Sequence, residues 1–412
     1  MKDKLAFQKG DILRHFYFGG ILSCSEISVL TRKSLPIATR LINELLDEGV
    51  LIETGFAHST GGRRPQTYSL APDNLHIISV AMDQYVTRVT LMDAQNRFLS
   101  GTHEIQLPLP GNPAAITELA EHLKYFIKSC GTPRNKIVGI GIGMPGFIDV
   151  SAGLNHSFLP PPPGESIVSF LQKKLDMPVL IDNDSSLIAL AEYKFGTAKE
   201  CPNAMVINIG WGVGLGMILN GELYRGNNGF AGEFSHIPIF TNNKMCSCGK
   251  LGCLETETSL MVMVNKAKDG IRSGRSTSLT LRGIENMTLK EAAYAILAEA
   301  LRGDRFVVEL LGEIGYSIGR GISILIHILN PSNIILSGRG SAAGRLWLAP
   351  VQKAINEHCI PRIAEKTTVE VSTIGSEAEL IGAAALVMEH VEAYLIYKTL
   401  KSKKLEKKEI AA

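Results

Sequence analysis

The 412-residue chain has no run of about 18 apolar residues, and its most apolar stretch, 321–336, is broken by His327, Asn330 and Pro331. That argues against a membrane span. The opening residues, MKDKLAFQKGDILRHF, scatter charge where a secretory signal needs an apolar centre. Its 40 glycines follow no three-residue period, which excludes a collagen-like chain. No tandem repeat with a period of about 20–50 residues is visible, which excludes a solenoid. Cysteine is scarce and odd in number, seven in all, with three gathered at positions 246, 248 and 253. That pattern reads as a reducing compartment and a metal site, not a disulfide framework. With 45% hydrophobic and 20% charged residues the chain is globular, not disordered. The expectation is a cytoplasmic, membrane-free protein of roughly two to four domains.

Charge is nearly balanced at +2 but unevenly spread. Residues 1–72 carry nine Lys/Arg against seven Asp/Glu, too small an excess to imply nucleic acid by itself. Residues 398–409 carry six Lys against two Glu and read as a frayed, solvated basic tail, 398–412.

The first 72 residues read as three helices and a hairpin. Apolar spacing predicts helices over 7–18, 25–30 and 34–48, with Ser23 or Ser25 and then Ser34 as caps. Pro36 suits the first turn of the third helix and Gly49 its left-handed stop. On that helix Ile37, Ala38, Leu41 and Leu45 are expected inward, and Pro36, Thr39, Arg40 and Asn43 outward. Strands at 50–54 and 66–70 flank the loop GFAHSTGGRRP, making a winged helix-turn-helix. Arg63 and Arg64 sit at the wing tip, suited to a minor groove, while the outward helix face suits a major groove.

From residue 73 strands alternate with helices. Strands are expected at 76–82, 86–93, 98–105, 137–144 and 179–182, and helices at 113–129, 165–175 and 185–195. A second set starts at 204–209 and 214–219 and ends with helices over 288–329 and a strand at 334–337. Two such units predict an α/β protein of two lobes, the first over 73–195 and completed by a C-terminal helix at 376–397. The second lobe covers 196–375, with a ligand-binding cleft between the two.

The strongest local signal is His236-x9-Cys246-x-Cys248-x4-Cys253. One imidazole and three thiolates form a tetrahedral donor set that Zn²⁺ accepts as a closed structural site, and Gly249 and Gly252 let the backbone wrap tightly. Asn183 and Asp184 stand where a strand passes into a helix. A carboxylate there can take a proton from a hydroxyl, although Asp at a helix start is also common for structural reasons. Glu233 and Glu255 bracket the cysteine motif, and a polyol binder needs several such carboxylates and amides converging on vicinal hydroxyls.

Asn183-Asp184, Gly232-Glu233-x-x-His236, the Cys-x-Cys-Gly-x2-Gly-Cys-x-Glu run ending at Glu255, and INIGWGVGLGMILNG together resemble the ROK family of sugar-responsive repressors and sugar kinases. The resemblance covers about residues 75–390. It implies an actin-like, ribonuclease H-like sugar-kinase fold with Asp184 at the catalytic-base position. It further implies Asn183, Asp184, Glu233, His236 and Glu255 as sugar contacts, with His236 also a zinc ligand. The winged helix points to the repressor branch, whose members respond to xylose, glucose or amino sugars.

Departures from the family's kinases bear on catalysis. Kinases carry D-x-G-G-T at the first strand turn, where this chain has Asp83-Gln84-Tyr85-Val86-Thr87. They usually carry Gly-Thr-Gly in a second phosphate loop, where this chain has Gly210-Trp211-Gly212. Phosphoryl transfer rests on positioning and charge stabilisation of phosphates, so these changes predict no kinase activity. Ser185-Ser186 replaces the usual Ala-Asn and Ser235 a glycine, changes suited to retuning sugar choice. The expected protein is therefore a zinc-bearing, homodimeric or homotetrameric regulator, not an enzyme, with operator DNA and a monosaccharide as partners. An active sugar kinase with a fused DNA-binding domain is the alternative.

Overall fold

The computed structural model describes residues 2–57 and 64–410, with side chains over 4–57 and 64–401. The chain divides into two compact units, residues 1–184 with 380–412, and residues 185–379.

The first unit opens with helices Lys2–Gly19, Cys24–Leu30 and Leu35–Asp47. Ser23 caps the second through a reciprocal box with Glu26, its hydroxyl accepting from the Glu26 N–H while the Glu26 carboxylate accepts from the Ser23 N–H. Ser34 precedes the third helix in extended backbone, but its side chain makes no capping hydrogen bond. The third helix buries Ala38, Leu41, Ile42 and Leu45. Those positions form one i, i+3, i+4, i+7 stripe, and Ile37 lies about a quarter turn outside it. Ile37 is therefore 39% exposed, and Ile42 takes the inward place expected for it. Gly49, at φ +68°, ends the helix as expected. Its N–H donates to Leu46 and that of Val50 to Leu45, the paired bonds of a left-handed helix stop.

Strands Leu51–Phe56 and Gln66–Leu70 pair antiparallel, and Leu22–Ser23 adds a third short strand, completing a winged helix. Lys9 ties the first helix to the third through Glu44 (3.0 Å) and Glu48 (2.6 Å). The first helix also packs along the C-terminal helix Val391–Ile410. The basic segment expected as a frayed tail continues that helix to Ile410. Lys401 reaches the Asp176 carboxylate at 2.6 Å, and Tyr397 donates to Asp176 as well, which fastens the helix before its basic end.

The rest of the first unit is a five-stranded sheet in the order Val179–Asn183, Ile137–Met144, His76–Met82, Val86–Asp93, His103–Gln106. The first three are mutually parallel and the last two antiparallel. The edge strand is shorter than the 98–105 expected from the apolar pattern. The Ser100 hydroxyl accepts the Leu91 N–H and interrupts the ladder there.

The second unit repeats this plan. Its sheet runs Glu222–Tyr224, Val213–Leu219, Ala204–Ile209, Asn333–Ser337, Thr368–Val371. Again a central strand has an antiparallel meander on one side and two parallel strands on the other. Its core gathers around the helix Arg305–Leu329, which packs on Leu348–His358 and the fully buried Trp347. The apolar stretch at 321–336 is thus a helix end buried through Ile326, a left-handed Asn330 and a buried strand. Among the described residues no single helix is long and apolar enough to cross a membrane.

The packing of the third helix predicts a contrast between neighbouring residues. Leu41→Ala should destabilise by about 2–5 kcal/mol, whereas Ile37→Ala should cost under about 1 kcal/mol. Urea unfolding of the full chain, followed by circular dichroism, measures both; equal costs would contradict the helix orientation.

Candidate functional site

Residues 241–251 are all exposed except Cys246, so no apolar core shapes this loop. Two isolated bridges, Pro238 with Cys253 and Met245 with Leu251, fold it back on itself. The Cys246 N–H donates to the Lys250 carbonyl and the Gly249 N–H to the Cys246 carbonyl, turning the chain tightly around Cys248. Gly252 is at φ +74°, and a Cβ there would lie 1.9 Å from the Phe240 carbonyl oxygen, so only glycine fits.

This folding brings the donor atoms of His236, Cys246, Cys248 and Cys253 within 4.8 Å of one another. Cys246 Sγ lies 3.4 Å from His236 Nδ1, and Cys248 Sγ 3.6 Å from Cys253 Sγ. A tetrahedral site with metal–sulfur bonds of about 2.3 Å has edges of about 3.6–3.8 Å, so the donor set fits one divalent ion. Burial pushes the Cys246 thiol up, and burial together with the neighbouring thiols pushes Cys253 up to about 12.

Two carboxylates adjoin the cluster. Glu233 Oε2 lies 3.6 Å from His236 Nε2, the ring nitrogen turned away from Cys246. Partial burial raises the Glu233 carboxyl above its ordinary range; His236 opposes that shift and Glu255 adds to it. Glu255, the first residue of a short helix, accepts from the Ser247 hydroxyl at 3.3 Å and from the Val213 N–H at 3.4 Å. It therefore ties the cysteine loop to the start of the strand Val213–Leu219. The structure thus brings Glu233, His236 and Glu255 together inside the second unit.

Asn183 and Asp184 stand at the end of the first unit, as the last residue of one strand and the first of the helix Asp184–Phe195. The Asn183 side-chain amide donates to the Gly146 carbonyl at 3.1 Å, which fixes its orientation. Sequence reasoning missed Ser247 as a partner of Glu255. It also missed Glu257, whose carboxylate holds Lys244 at 2.6 Å and Lys266 at 3.1 Å and so braces the loop against the next helix. The only available signal was a second glutamate two residues past Glu255.

On the third helix Pro36, Arg40 and Asn43 are exposed and Thr39 half-buried, all lining a shallow groove with Leu35, Glu44 and Asp47. Arg40 pairs with Glu44 one turn later. Arg64 is exposed at the base of the wing, and Arg63 lies outside the described residues.

Against known families, a model of the ROK family matches residues 79–390, three quarters of the chain. The chain belongs to the ROK family. It is 28% identical over 403 residues to the xylose repressor of Caldicellulosiruptor bescii, covering 94% of this chain and 96% of that one. It is 30% identical over 279 residues to the glucokinase of Halalkalibacterium halodurans, covering 67% of this chain and 84% of the enzyme. The crystal structure of a ROK family transcriptional regulator, a homologue of the Escherichia coli Mlc protein, superposes with a TM-score of 0.76. That match is 22% identical and covers 97% of this chain and 100% of that one. The actin-like fold expected for the family is the one observed, preceded by the winged helix.

The loop geometry separates two glycines. Gly249→Ala meets no neighbour and should cost only the left-handed strain, roughly 1–2 kcal/mol. Gly252→Ala adds the clash with Phe240 and should lower the melting temperature further. Thermal unfolding of the two variants side by side distinguishes them; equal losses would contradict the loop path.

Proposed function

We propose that this chain is a sugar-responsive transcriptional regulator, a repressor, which binds operator DNA through residues 1–72 and a monosaccharide through the ROK domain. The observation that carries the reading is the extent of the likeness. The repressor matches through the winged helix, whereas the glucokinase leaves a third of the chain unmatched.

In this reading Zn²⁺ is held by His236, Cys246, Cys248 and Cys253 and only fixes the loop. With the loop rigid, Glu233, His236 and Glu255 present acceptors and a ring nitrogen to sugar hydroxyls, and Asn183 and Asp184 contribute from the family's other contact positions. Charge-assisted hydrogen bonds of this kind are the strong ones in sugar recognition. The protein acts as a homodimer or homotetramer, so that paired winged helices meet two half-sites, and sugar shifts the population between DNA-competent and released states.

Two features support binding without turnover. Asp83 Oδ1 accepts from the Tyr85 and Val86 N–H groups at 2.7 and 2.8 Å, closing the first turn on itself where kinases keep two glycines open. The Arg339 guanidinium stacks over the Trp211 ring, 5.4 Å from its centroid, so a bulky pair occupies the second phosphate-loop position. A kinase reading is favoured by one observation, the retention of Asp184.

The full chain should gain thermal stability with one or more aldoses or amino sugars, because a ligand that binds only the folded state raises the melting temperature. Asp184→Asn should weaken that sugar roughly tenfold to a hundredfold. Isothermal titration reads both, and a coupled ADP assay with the same sugar, ATP and Mg²⁺ should stay at background. Sugar-dependent ADP release at about 1–100 s⁻¹ would instead establish the kinase. Metal analysis should give one zinc per chain, lowered by Cys248→Ser; a folded, zinc-free chain that binds sugar equally well contradicts the structural role of the site.

On the DNA side, Arg40→Ala should cost roughly 1–3 kcal/mol on the preferred operator and less on random duplex. Replacing Arg63 and Arg64 together should weaken all duplexes and flatten the salt dependence. Gel-shift titrations at two salt concentrations test this pattern.

A further inference from the structure

The DNA-facing helix begins on an apolar tip. Leu35 is 50% exposed and Ile37 39%, and they flank the exposed Pro36 on either side of the helix. The buried stripe of Ala38, Leu41, Ile42 and Leu45 supplies the helix's packing, and these half-exposed tip residues lie outside it. The preceding helix ends on two further exposed apolar residues, Val29 and Leu30.

Charge changes sign along the same helix. Arg32, exposed in the turn before it, and Arg40, one turn inside it, flank the tip with cations. Beyond Arg40 come Glu44, Asp47 and Glu48; Lys9 pairs with the first and last, yet that end stays net negative, and phosphates are repelled by it. The half of the helix that can approach a duplex closely is therefore the half whose tip is apolar. The major groove offers one apolar feature to such a tip, the C5-methyl group of thymine.

We propose that Leu35 and Ile37 read thymine methyl groups, while Arg32 and Arg40 hold the flanking backbone or base edges. The proposal rests on the DNA-binding reading above and deepens it by naming the base chemistry recognised. It places thymines in each operator half-site where the first turn of the helix lands. A protein partner could also cover an apolar tip, but the cations on both sides complement phosphate.

The test uses the full chain and an operator recovered from random duplexes by repeated selection. Each thymine is then replaced in turn by deoxyuridine, which removes the methyl and leaves every hydrogen-bonding group. Wild type should lose roughly fourfold in affinity per contacted methyl, the equivalent of unburying one CH₂. The Leu35→Ala and Ile37→Ala variants, with melting temperatures within a few degrees of wild type, should bind the thymine operator correspondingly less well and lose their sensitivity to deoxyuridine at those positions. Full tolerance of deoxyuridine by wild type, or sensitivity that persists in both variants, would overturn the methyl readout while leaving DNA binding intact. Failure to recover any preferred duplex would overturn the regulator reading itself, and this inference with it.

Discussion

Four donor atoms within 4.8 Å of one another gather a loop that has little apolar burial to hold its shape. Between positions 241 and 251 only Cys246 is buried, so hydrophobic burial contributes little there. What remains is a tight turn, two isolated bridges and the convergence of His236, Cys246, Cys248 and Cys253. Through that convergence His236 faces Glu233, and Ser247 meets Glu255, which in turn reaches the start of a core strand. The proposed sugar contacts thus depend on a metal-type donor set that has no chemical task of its own.

The same economy of support recurs in the DNA-binding part. A single buried stripe packs the third helix, and Leu35, Pro36, Ile37, Arg40 and Asn43 outside it are exposed. Lys9 joins that helix to the first, and the first helix packs on Val391–Ile410. The chain's two ends therefore meet in one unit, and a change in the C-terminal helix has a physical route to the winged helix. That arrangement is what a regulator requires: a recognition surface whose orientation depends on elements remote from it.

Much of this was legible in the residues. The winged helix, the left-handed stop at Gly49 and the Cys₃His cluster each follow from local rules about caps, turns and donor spacing. Glu233 and Glu255 stood out by bracketing the cysteine motif, but naming them as sugar contacts needed the family pattern. Other features were not legible, for identifiable reasons. Ile37 and Ile42 are both isoleucines five residues apart, one just outside the stripe and one within it, so the apolar pattern alone could not choose between them. The strand expected at 98–105 shortens to His103–Gln106 because the Ser100 side chain takes a backbone donor from the ladder, a contact invisible to alternation. The repeated sheet plan of the two units leaves no sequence repeat, because a strand order constrains backbone pairing and only loosely the side chains. Glu257 and the Trp211–Arg339 stack are long-range side-chain meetings that no spacing rule anticipates.

The central claim is that sugar and DNA are linked through one chain. The most direct measurement is the operator affinity of the zinc-loaded full chain by fluorescence anisotropy, without and with a saturating monosaccharide identified by its binding. The account predicts a change of roughly 5–150-fold, the ordinary range of a coupling free energy between two sites. It also predicts that Glu255→Gln, which alters the sugar site and leaves the winged helix untouched, shrinks that change while keeping sugar-free operator affinity. An operator affinity that stays the same with every bound sugar would contradict it.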